Sequence, residues 1–245
     1  MVTGIFVTGN AKTEYSNRLL TLLPDVLQAR ITRDGNRKQL GLKDVLYEPN
    51  KPMSGVYFPL NGVISLIAPL DNGSEIEVAT TGNEGMAGLP LFLGVNRTPL
   101  KAFSQVPGES LYLSTALFRK HLEREPELVA VLHRFAQALM MQISQSTACN
   151  RAHSVGQRCC RWLLMTHDRV NSDTFTLTQE FLAQMLGVRR ATVGEVAAEL
   201  QEGKLIQYSR GHMRVLNRRG LEKRSCGCYF IIRDEYNRLL NNRGK

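Results

Sequence analysis

The chain has 245 residues, of which 43% are hydrophobic and 22% are charged, a composition typical of a globular protein and unlike that of a disordered one. It has no run of about 18 apolar residues, which excludes a membrane-spanning helix and a membrane partner. The net charge of +9 is unevenly distributed, because residues 1–153 carry 15 Lys and Arg against 13 Asp and Glu, whereas residues 154–245 carry 16 against 9. The basic C-terminal part indicates a polyanionic partner.

The N-terminus and the cysteines predict the compartment. Residues 1–17 lack the basic start and continuous apolar block of a secretory signal. The cysteines are odd in number, which makes a poor disulfide framework, and they stand at Cys149, Cys159, Cys160, Cys226 and Cys228. A reducing, cytoplasmic location is therefore expected.

Residues 38–114 are expected to form a β-barrel. Short apolar runs such as 56–58, 63–67 and 75–78 alternate with turns rich in Gly, Pro and Asn. Asp71-Asn72-Gly73 is a hairpin signal, since Asn and Gly tolerate a positive φ. Many short strands at this spacing predict an antiparallel barrel or jelly roll.

A long helix is predicted after the barrel. Pro126 suits a first helical turn, and the following apolar residues recur at steps of three and four. Two interpretations are open: the helix packs on its own barrel, or it pairs with the same helix of a second subunit. We expect a homodimer, and the predicted interface consists of Leu128, Leu132, Phe135, Leu139 and Ile143.

Residues 177–200 predict a helix-turn-helix. Thr178 is placed to cap a first helix, and Gly187 supplies the left-handed residue of a sharp turn. A second helix is expected to begin near Arg189 or Arg190 and to bury Val193, Val196, Ala197 and Leu200. Its exposed N-terminal residues would meet base edges in a DNA major groove: Arg189, Arg190, Ala191, Thr192 and Glu195. Thr192, Gln179 and Thr178 are candidates for phosphate contacts.

A β-hairpin is predicted behind the second helix. Residues 205–208 and 213–216 alternate like strands around Ser209-Arg210-Gly211-His212. A wing of this kind would place Arg210 and Arg214 near the phosphate backbone, although a solvated hairpin is the plainer alternative. Asn217 is expected to cap a further helix, with Glu222 near its start.

From about Asn17 to Leu216, the chain resembles the Crp/Fnr family of bacterial transcription regulators. The resemblance is carried by Arg190-Ala191-Thr192-Val193-Gly194, by Leu205-Ile206, by Gly62-Val63-Ile64-Ser65 and by Arg97-Thr98. It implies an α+β fold with an N-terminal double-stranded β-helix (jelly-roll) sensory barrel over residues 1–125, a long dimerisation helix over 126–153 and a C-terminal winged helix-turn-helix over 154–245. The implied partners are double-stranded DNA, a second copy of the chain and RNA polymerase.

The chain departs from the family's recognition helix at two positions. That helix typically opens Arg-Glu-Thr-Val and carries an Arg shortly afterwards, where this chain has Ala191 and Glu195. Arg190 carries over as a base-reading residue, and the operator is expected to differ from the family's best-known half-site. Glu195 is a candidate acceptor for a cytosine amino group.

The resemblance also raises the question of an effector. In the cyclic-nucleotide branch a Gly-Glu-Leu signature holds the ribose and an Arg-Ser/Thr pair holds the phosphate. Arg97 and Thr98 match that pair, but Met86 stands where the ribose-binding Glu belongs, and Glu84 is a substitute only after a loop shift. A cyclic nucleotide, a thiol redox switch and no effector at all are the open alternatives, and no cofactor is expected.

Two familiar kinds of metal site do not fit the sequence. The oxygen-sensing branch binds an iron–sulfur cluster through four thiolates, usually with three near the N-terminus, and no cysteine precedes Cys149 here. A jelly-roll metalloenzyme needs inward-facing His and carboxylate ligands, and residues 38–114 contain no His. We therefore expect no enzyme activity. Cys226-Gly227-Cys228 is half of a metal site with His212 as the one suggested partner, and no metal site is predicted.

Overall fold

The computed structural model describes residues 16–170 and 172–241. These residues form ten strands and nine α-helices, which are, in chain order, α1 Asp25–Asp34, β1 Asn36–Leu40, β2 Val45–Tyr47, β3 Gly55–Pro59, β4 Val63–Pro69, β5 Glu75–Thr81, α2 Leu89–Phe92, β6 Lys101–Val106, β7 Gly108–Ser114, α3 Thr115–Arg124, α4 Pro126–Ala152, α5 Val155–His167, β8 Thr174–Thr176, α6 Gln179–Leu186, α7 Arg190–Glu202, β9 Ile206–Ser209, β10 His212–Val215, α8 Arg218–Arg224 and α9 Cys228–Leu240.

The N-terminal strands form the two facing sheets of a jelly roll. One sheet has the strand order β1-β7-β3 and the other has the order β2-β6-β4-β5, with antiparallel pairing throughout. The register pairs Tyr57 with Tyr112 in the first sheet and Ser65 with Phe103 in the second. Strand β3 is buried along its whole length. The predicted barrel is therefore confirmed.

The hairpin between β4 and β5 forms at the predicted turn. Gly73 has a φ of 79°, and its N–H donates to the carbonyl of Leu70 over 2.9 Å. The N–H of Ser74 donates to the side-chain oxygen of Asn72 over 3.0 Å. The positive φ explains why glycine follows Asn72 in this tight turn.

Helix α4 has 27 residues and therefore a length of about 40 Å at about 1.5 Å per residue. The residues predicted to form the dimer interface are largely buried within their own chain instead. Leu128, Leu132, Phe135 and Leu139 are buried, and Ile143 is partly buried. The Phe135 ring lies directly over Gly85 of the barrel. The physical reason is that the most apolar stripe of a helix packs on the nearest apolar surface, so one chain already covers the predicted interface.

The C-terminal part is a winged helix-turn-helix followed by two helices. The wing has three strands in the order β8-β10-β9, where the sequence predicts two, because the three-residue strand β8 adds to β10. Asn217 caps α8 by accepting from the N–H of Gly220 over 2.9 Å. Glu222 lies in the last turn of α8 rather than near its start, and it pairs with Arg218 over 3.0 Å.

The predicted domain limits fall near element ends. Helix α3 ends at Arg124, α4 ends at Ala152, and Ser154 caps α5. Residues 1–15, 171 and 242–245 of the predicted domains lie outside the described residues, and the limits themselves stay predictions.

Helix α9 folds back and packs on α4. Within the described ranges no helix combines the length and apolar character needed to cross a bilayer.

Candidate nucleic-acid interface

The first helix of the helix-turn-helix, α6, begins and ends as its local sequence dictates. The Thr178 hydroxyl accepts from the N–H of Phe181 over 3.1 Å, and Glu180 lies in the first turn, where the helix dipole favours an acid. Gly187 ends the helix in the left-handed conformation, with a φ of 64°. The cap and the glycine therefore fix the angle at which the chain enters the second helix.

The second helix, α7, separates a buried face from an exposed one. It begins at Arg190, and the four residues predicted to be buried are buried: Val193, Val196, Ala197 and Leu200. The opposite face, at the N-terminal end, exposes Arg189, Arg190, Ala191 and Glu195, with Thr192 half-buried. Helices α6 and α7 do not approach each other closely at Gly194, since a Cβ there would have only an ordinary 3.8 Å contact with Gln179.

The wing lies beside the start of α6. Its two-residue turn has positive φ at both central positions, 49° at Arg210 and 80° at Gly211, as a type I′ turn requires. The N–H of Leu177 donates to the carbonyl of Gly211 over 2.8 Å, so the wing tip is held next to Thr178, the α6 cap. Arg210 and Arg214 are both exposed. The wing tip and the α6 N-terminus therefore share one surface.

Tyr208 joins the three parts of this surface, although no sequence pattern singles it out. Its side chain lies close to the backbone of Gln179 and to the charge of Arg190. Its own backbone N–H donates to the side-chain oxygen of Gln201 over 2.9 Å. Burial raises the pKa of Tyr208 above its ordinary value of 10.0. The sequence predicts that Tyr208 lies in a strand of the wing, but the alternation of a strand does not show which helix a side chain contacts.

Two sets of arginines in the C-terminal part differ in their surroundings. Arg169, Arg218, Arg233 and Arg238 pair with carboxylates of the chain itself. Among the described residues no carboxylate lies within salt-bridge distance of the four arginines predicted to meet DNA: Arg189, Arg190, Arg210 and Arg214. Exposed guanidinium groups without internal partners are available to an external polyanion.

The three predicted effector-pocket residues are not brought together around one cavity. Glu84 is buried and accepts from Arg169 over 2.8 Å. It lines a cavity of about 240 Å³ between the barrel, α5 and α9, whose described walls do not include Arg97 or Thr98. Arg97 is exposed, and the Thr98 hydroxyl accepts from the N–H of Leu100 over 3.2 Å. The expectation that Glu84 shares a pocket with Arg97 and Thr98 is therefore corrected.

Met86 occupies the position at which the cyclic-nucleotide branch has its ribose-binding Glu. Its side chain is 1% exposed and lies in the core, next to the bridge between Ala87 and Tyr57. A thioether in this position contributes packing and no strong hydrogen bond.

The cysteines form two groups. Cys159 and Cys160 are buried in the main core. Cys149, Cys226 and Cys228 lie together beside His153, away from the barrel. The predicted partner His212 lies on the exposed wing strand β10 instead. Four potential ligands therefore lie together, whereas the sequence suggested only Cys226 and Cys228 with His212, and the expectation of no metal site stays untested. The four-residue step from Cys149 to His153 was the missed signal.

Comparisons with known proteins agree with this architecture. Residues 157–224 match the model of the Crp-like helix-turn-helix domain. The C-terminal part of this chain therefore contains a Crp-like helix-turn-helix domain. A global nitrogen regulator of Synechococcus elongatus is 22% identical over 211 residues, which cover 82% of this chain and 94% of that protein.

Two solved structures share the fold. FixK2 from Bradyrhizobium japonicum aligns with a TM-score of 0.67 at 14% identity, covering 78% of this chain and 98% of that one. A CRP-family transcriptional regulator from Thermus thermophilus aligns with a TM-score of 0.65 at 18% identity, covering 77% of this chain and 96% of that one. The Crp/Fnr fold predicted from the sequence is confirmed.

Proposed function

We propose that this protein is a sequence-specific, DNA-binding transcription regulator of the Crp/Fnr family that acts as a homodimer on a palindromic operator. The observation that carries the proposal is the exposed N-terminal end of α7 in a Crp-like helix-turn-helix, where Arg189 and Arg190 have no carboxylate partner among the described residues. No enzyme activity is proposed, because the matching relatives are regulators and residues 38–114 contain no His.

The exposed residues divide into base-reading and phosphate-binding groups. Arg190 is the principal base reader, because a guanidinium can contact O6 and N7 of guanine together. Glu195, one turn further along the same face, accepts from a cytosine amino group, and Ala191 offers a methyl group to thymine. Arg189 and Thr192 complete the α7 contacts.

The surface formed by the wing and the α6 N-terminus binds the DNA backbone. Thr178 and Gln179 bind phosphate at the start of α6, where the helix dipole favours an anion. Arg210 and Arg214 bind phosphate from the wing. These contacts set the position of α7 in the groove without selecting a sequence.

A different face of α4 forms the proposed dimer interface. Its exposed positions recur at steps of three and four, as in a coiled-coil seam, and they are Ala130, His133, Gln137, Met140 and Ser144. Met140 is 63% exposed, which is high for such an apolar side chain. Pairing through this face would present two recognition helices to successive major grooves about 34 Å apart.

The first test is fluorescence anisotropy with a palindrome selected from random duplexes and with a scrambled duplex of equal length. Arg190→Ala is expected to weaken selected-site binding by about 5- to 150-fold per half-site, the equivalent of about 1–3 kcal/mol, while scrambled-site binding changes little. Arg119→Ala, the same substitution on an exposed position of α3, is the matched control and should change neither. Equal losses on both duplexes would contradict base reading by Arg190.

The second test separates phosphate contacts from base contacts. Arg210→Ala is expected to weaken binding to both duplexes alike and to reduce the salt slope by about one unit per subunit. A loss confined to the selected palindrome would mean that the wing reads sequence, contrary to its assigned role.

The barrel is proposed to act without a cyclic nucleotide bound through Glu84, Arg97 and Thr98. The Glu84 carboxylate already pairs with Arg169, and the Met86 thioether cannot replace a ribose-binding carboxylate. Calorimetric titration with cyclic AMP and cyclic GMP should therefore give no binding heat, whereas a saturable signal would contradict this part of the proposal. The regulator is proposed to act in the cytoplasm and to contact RNA polymerase from its operator.

A further inference from the structure

Four potential metal ligands converge where α4 ends and α9 begins. Cys149 lies in the last turn of α4, His153 follows that helix, and Cys226 and Cys228 flank Gly227 before and at the start of α9. One ligand atom from each lies within 4.8 Å of all the others. The Sγ atoms of Cys149 and Cys226 are 3.4 Å apart, and Cys228 Sγ lies 3.6 Å from Nδ1 of His153.

The local sequence explains this convergence. His153 directly follows α4, and its N–H donates to the Cys149 carbonyl over 3.0 Å, which brings the two residues close together. The CxC spacing brings a second pair from the segment that returns to α4, 77 positions along the chain from Cys149. Two short local pairs thus make one four-ligand cluster.

Ordinary core packing does not account for the cluster. A free cysteine usually packs as a small apolar side chain among others, and Cys159 and Cys160 do so in the main core. Within the described residues, Cys149, Cys226 and Cys228 form a separate buried cluster of their own. Three sulfur atoms and an imidazole therefore face one another instead of aliphatic carbon.

The distances fit one tetrahedral ion. With Zn–S bonds of about 2.3 Å, ligand atoms at the corners of a tetrahedron lie about 3.8 Å apart, and the observed separations of 3.4 and 3.6 Å are within a few tenths of an ångström of that value. We propose that Cys149, His153, Cys226 and Cys228 bind one Zn²⁺. The three thiols lose their protons to solvent on binding, and partly exposed His153 provides the route of entry.

A neighbouring group is placed to orient one of the ligands. The Gln145 side-chain amide donates to Cys228 Sγ over 3.1 Å. Hydrogen bonds of this kind orient thiolates and stabilise their charge in metal sites. Gln145 also lies on α4, one turn before Cys149.

The ion would fasten the start of α9 to the end of α4. From there α9 runs along the molecule with Tyr229, Ile232 and Tyr236 buried. The fastening point lies directly before Ser154, where the DNA-binding domain begins. The proposed role is therefore a structural zinc clamp, which goes beyond the proposed DNA-binding function and does not depend on it.

The experiment uses the full chain isolated under reducing conditions without chelators. Elemental analysis should find about one zinc per chain in the wild type and none in Cys226→Ser. Cys159→Ser, the same change at a buried cysteine outside the cluster, should keep its zinc. Replacement by Co²⁺ should give thiolate charge-transfer absorption and the visible bands of a tetrahedral ion. A wild type without zinc that also gives no such Co²⁺ spectrum would overturn the proposal, as would iron with acid-labile sulfide or equal zinc loss in Cys159→Ser.

Two milder variants keep the proposal testable if Cys226→Ser does not fold. His153→Ala should still bind Co²⁺, with an altered visible spectrum because one nitrogen ligand is lost. Gln145→Leu should weaken zinc binding by about 10- to 100-fold in competition with a chromophoric chelator. Unchanged spectra and affinity in both would overturn the assignment. A strong zinc chelator should lower the unfolding temperature of the wild type and of Cys159→Ser.

Discussion

The buried ion pair between Glu84 and Arg169 is predicted to stabilise the contact between the barrel and the C-terminal part. Glu84 lies in the barrel, Arg169 follows α5, and their side chains are 7% and 6% exposed. Glu84→Ala would leave a buried guanidinium without its carboxylate, which typically costs about 3–5 kcal/mol. Four neutral acceptor contacts to Arg169 would remain, two on Thr80 and one each on Met165 and Gln142. The expected cost is therefore near the lower limit, about 3 kcal/mol.

Urea unfolding followed by circular dichroism and tryptophan fluorescence would measure this cost as a lower midpoint at an unchanged slope. Glu109→Ala is the matched control, because Glu109 pairs with half-exposed Arg37 and should cost less than about 1 kcal/mol. The double variant Glu84→Leu with Arg169→Met should recover most of the loss, since it removes both charges. A cost for Glu84→Ala equal to that of Glu109→Ala would refute the reasoning.

Three further predictions concern the cap, pH and the dimer. Thr178→Ala should lower the free energy of unfolding by about 0.5–2 kcal/mol, measured by urea unfolding, because the N–H of Phe181 loses its acceptor. Burial raises the pKa of Glu77 from 4.5 to about 7, so the folded state keeps a proton that the unfolded state has lost; the unfolding temperature should fall as pH rises from about 4.5 to about 7, and Glu77→Gln should flatten that dependence. Met140→Glu should give monomers in analytical ultracentrifugation, whereas Leu93→Glu, at a similarly exposed position, should leave the dimer intact.

The helix-turn-helix was predictable because the residues that define it are close together in the sequence. A cap at Thr178, a left-handed residue at Gly187 and apolar residues at helical spacing each act within one or two turns. The same holds for the wing turn at Arg210 and Gly211. Strand β8 was missed because three residues carry too little alternation to identify a strand.

The face of α4 that meets a partner could not be deduced from periodicity. An apolar stripe indicates that one face is buried, but it does not indicate what buries it. Phe135 packs on the barrel of its own chain and Leu139 is also buried, whereas the less apolar face around Met140 is exposed. When one face of a helix is covered by its own domain, a partner subunit can only meet the other, less apolar face. From the sequence alone, such a face looks the same as an ordinary solvated one.

Glu84 and the cysteine cluster were misassigned for a shared reason, which is that their partners are distant in the sequence. Arg169 lies 85 positions after Glu84, and Cys226 lies 77 positions after Cys149. The sequence shows Glu84 as an acid in a loop and Cys226 and Cys228 as a CxC pair. It does not show that Arg169 pairs with the acid or that Cys149 lies beside the CxC pair. Composition and spacing report on local structure, whereas pairing across the fold is determined by topology.

The contacts between the barrel and the helix-turn-helix indicate how the barrel can influence DNA binding. Glu75 in the β4–β5 hairpin accepts from Gln184 of α6 over 3.0 Å, and the Phe103 and Phe181 rings meet edge to face at 5.9 Å. Helix α6 therefore packs on the sheet β2-β6-β4-β5, and Glu84 lies in the loop that follows strand β5 of this sheet. An effector can change DNA affinity only by stabilising one arrangement of this interface over another. Because the hydrogen bond between Gln184 and Glu75 joins α6 to β5, a small displacement of β5 would change this contact directly.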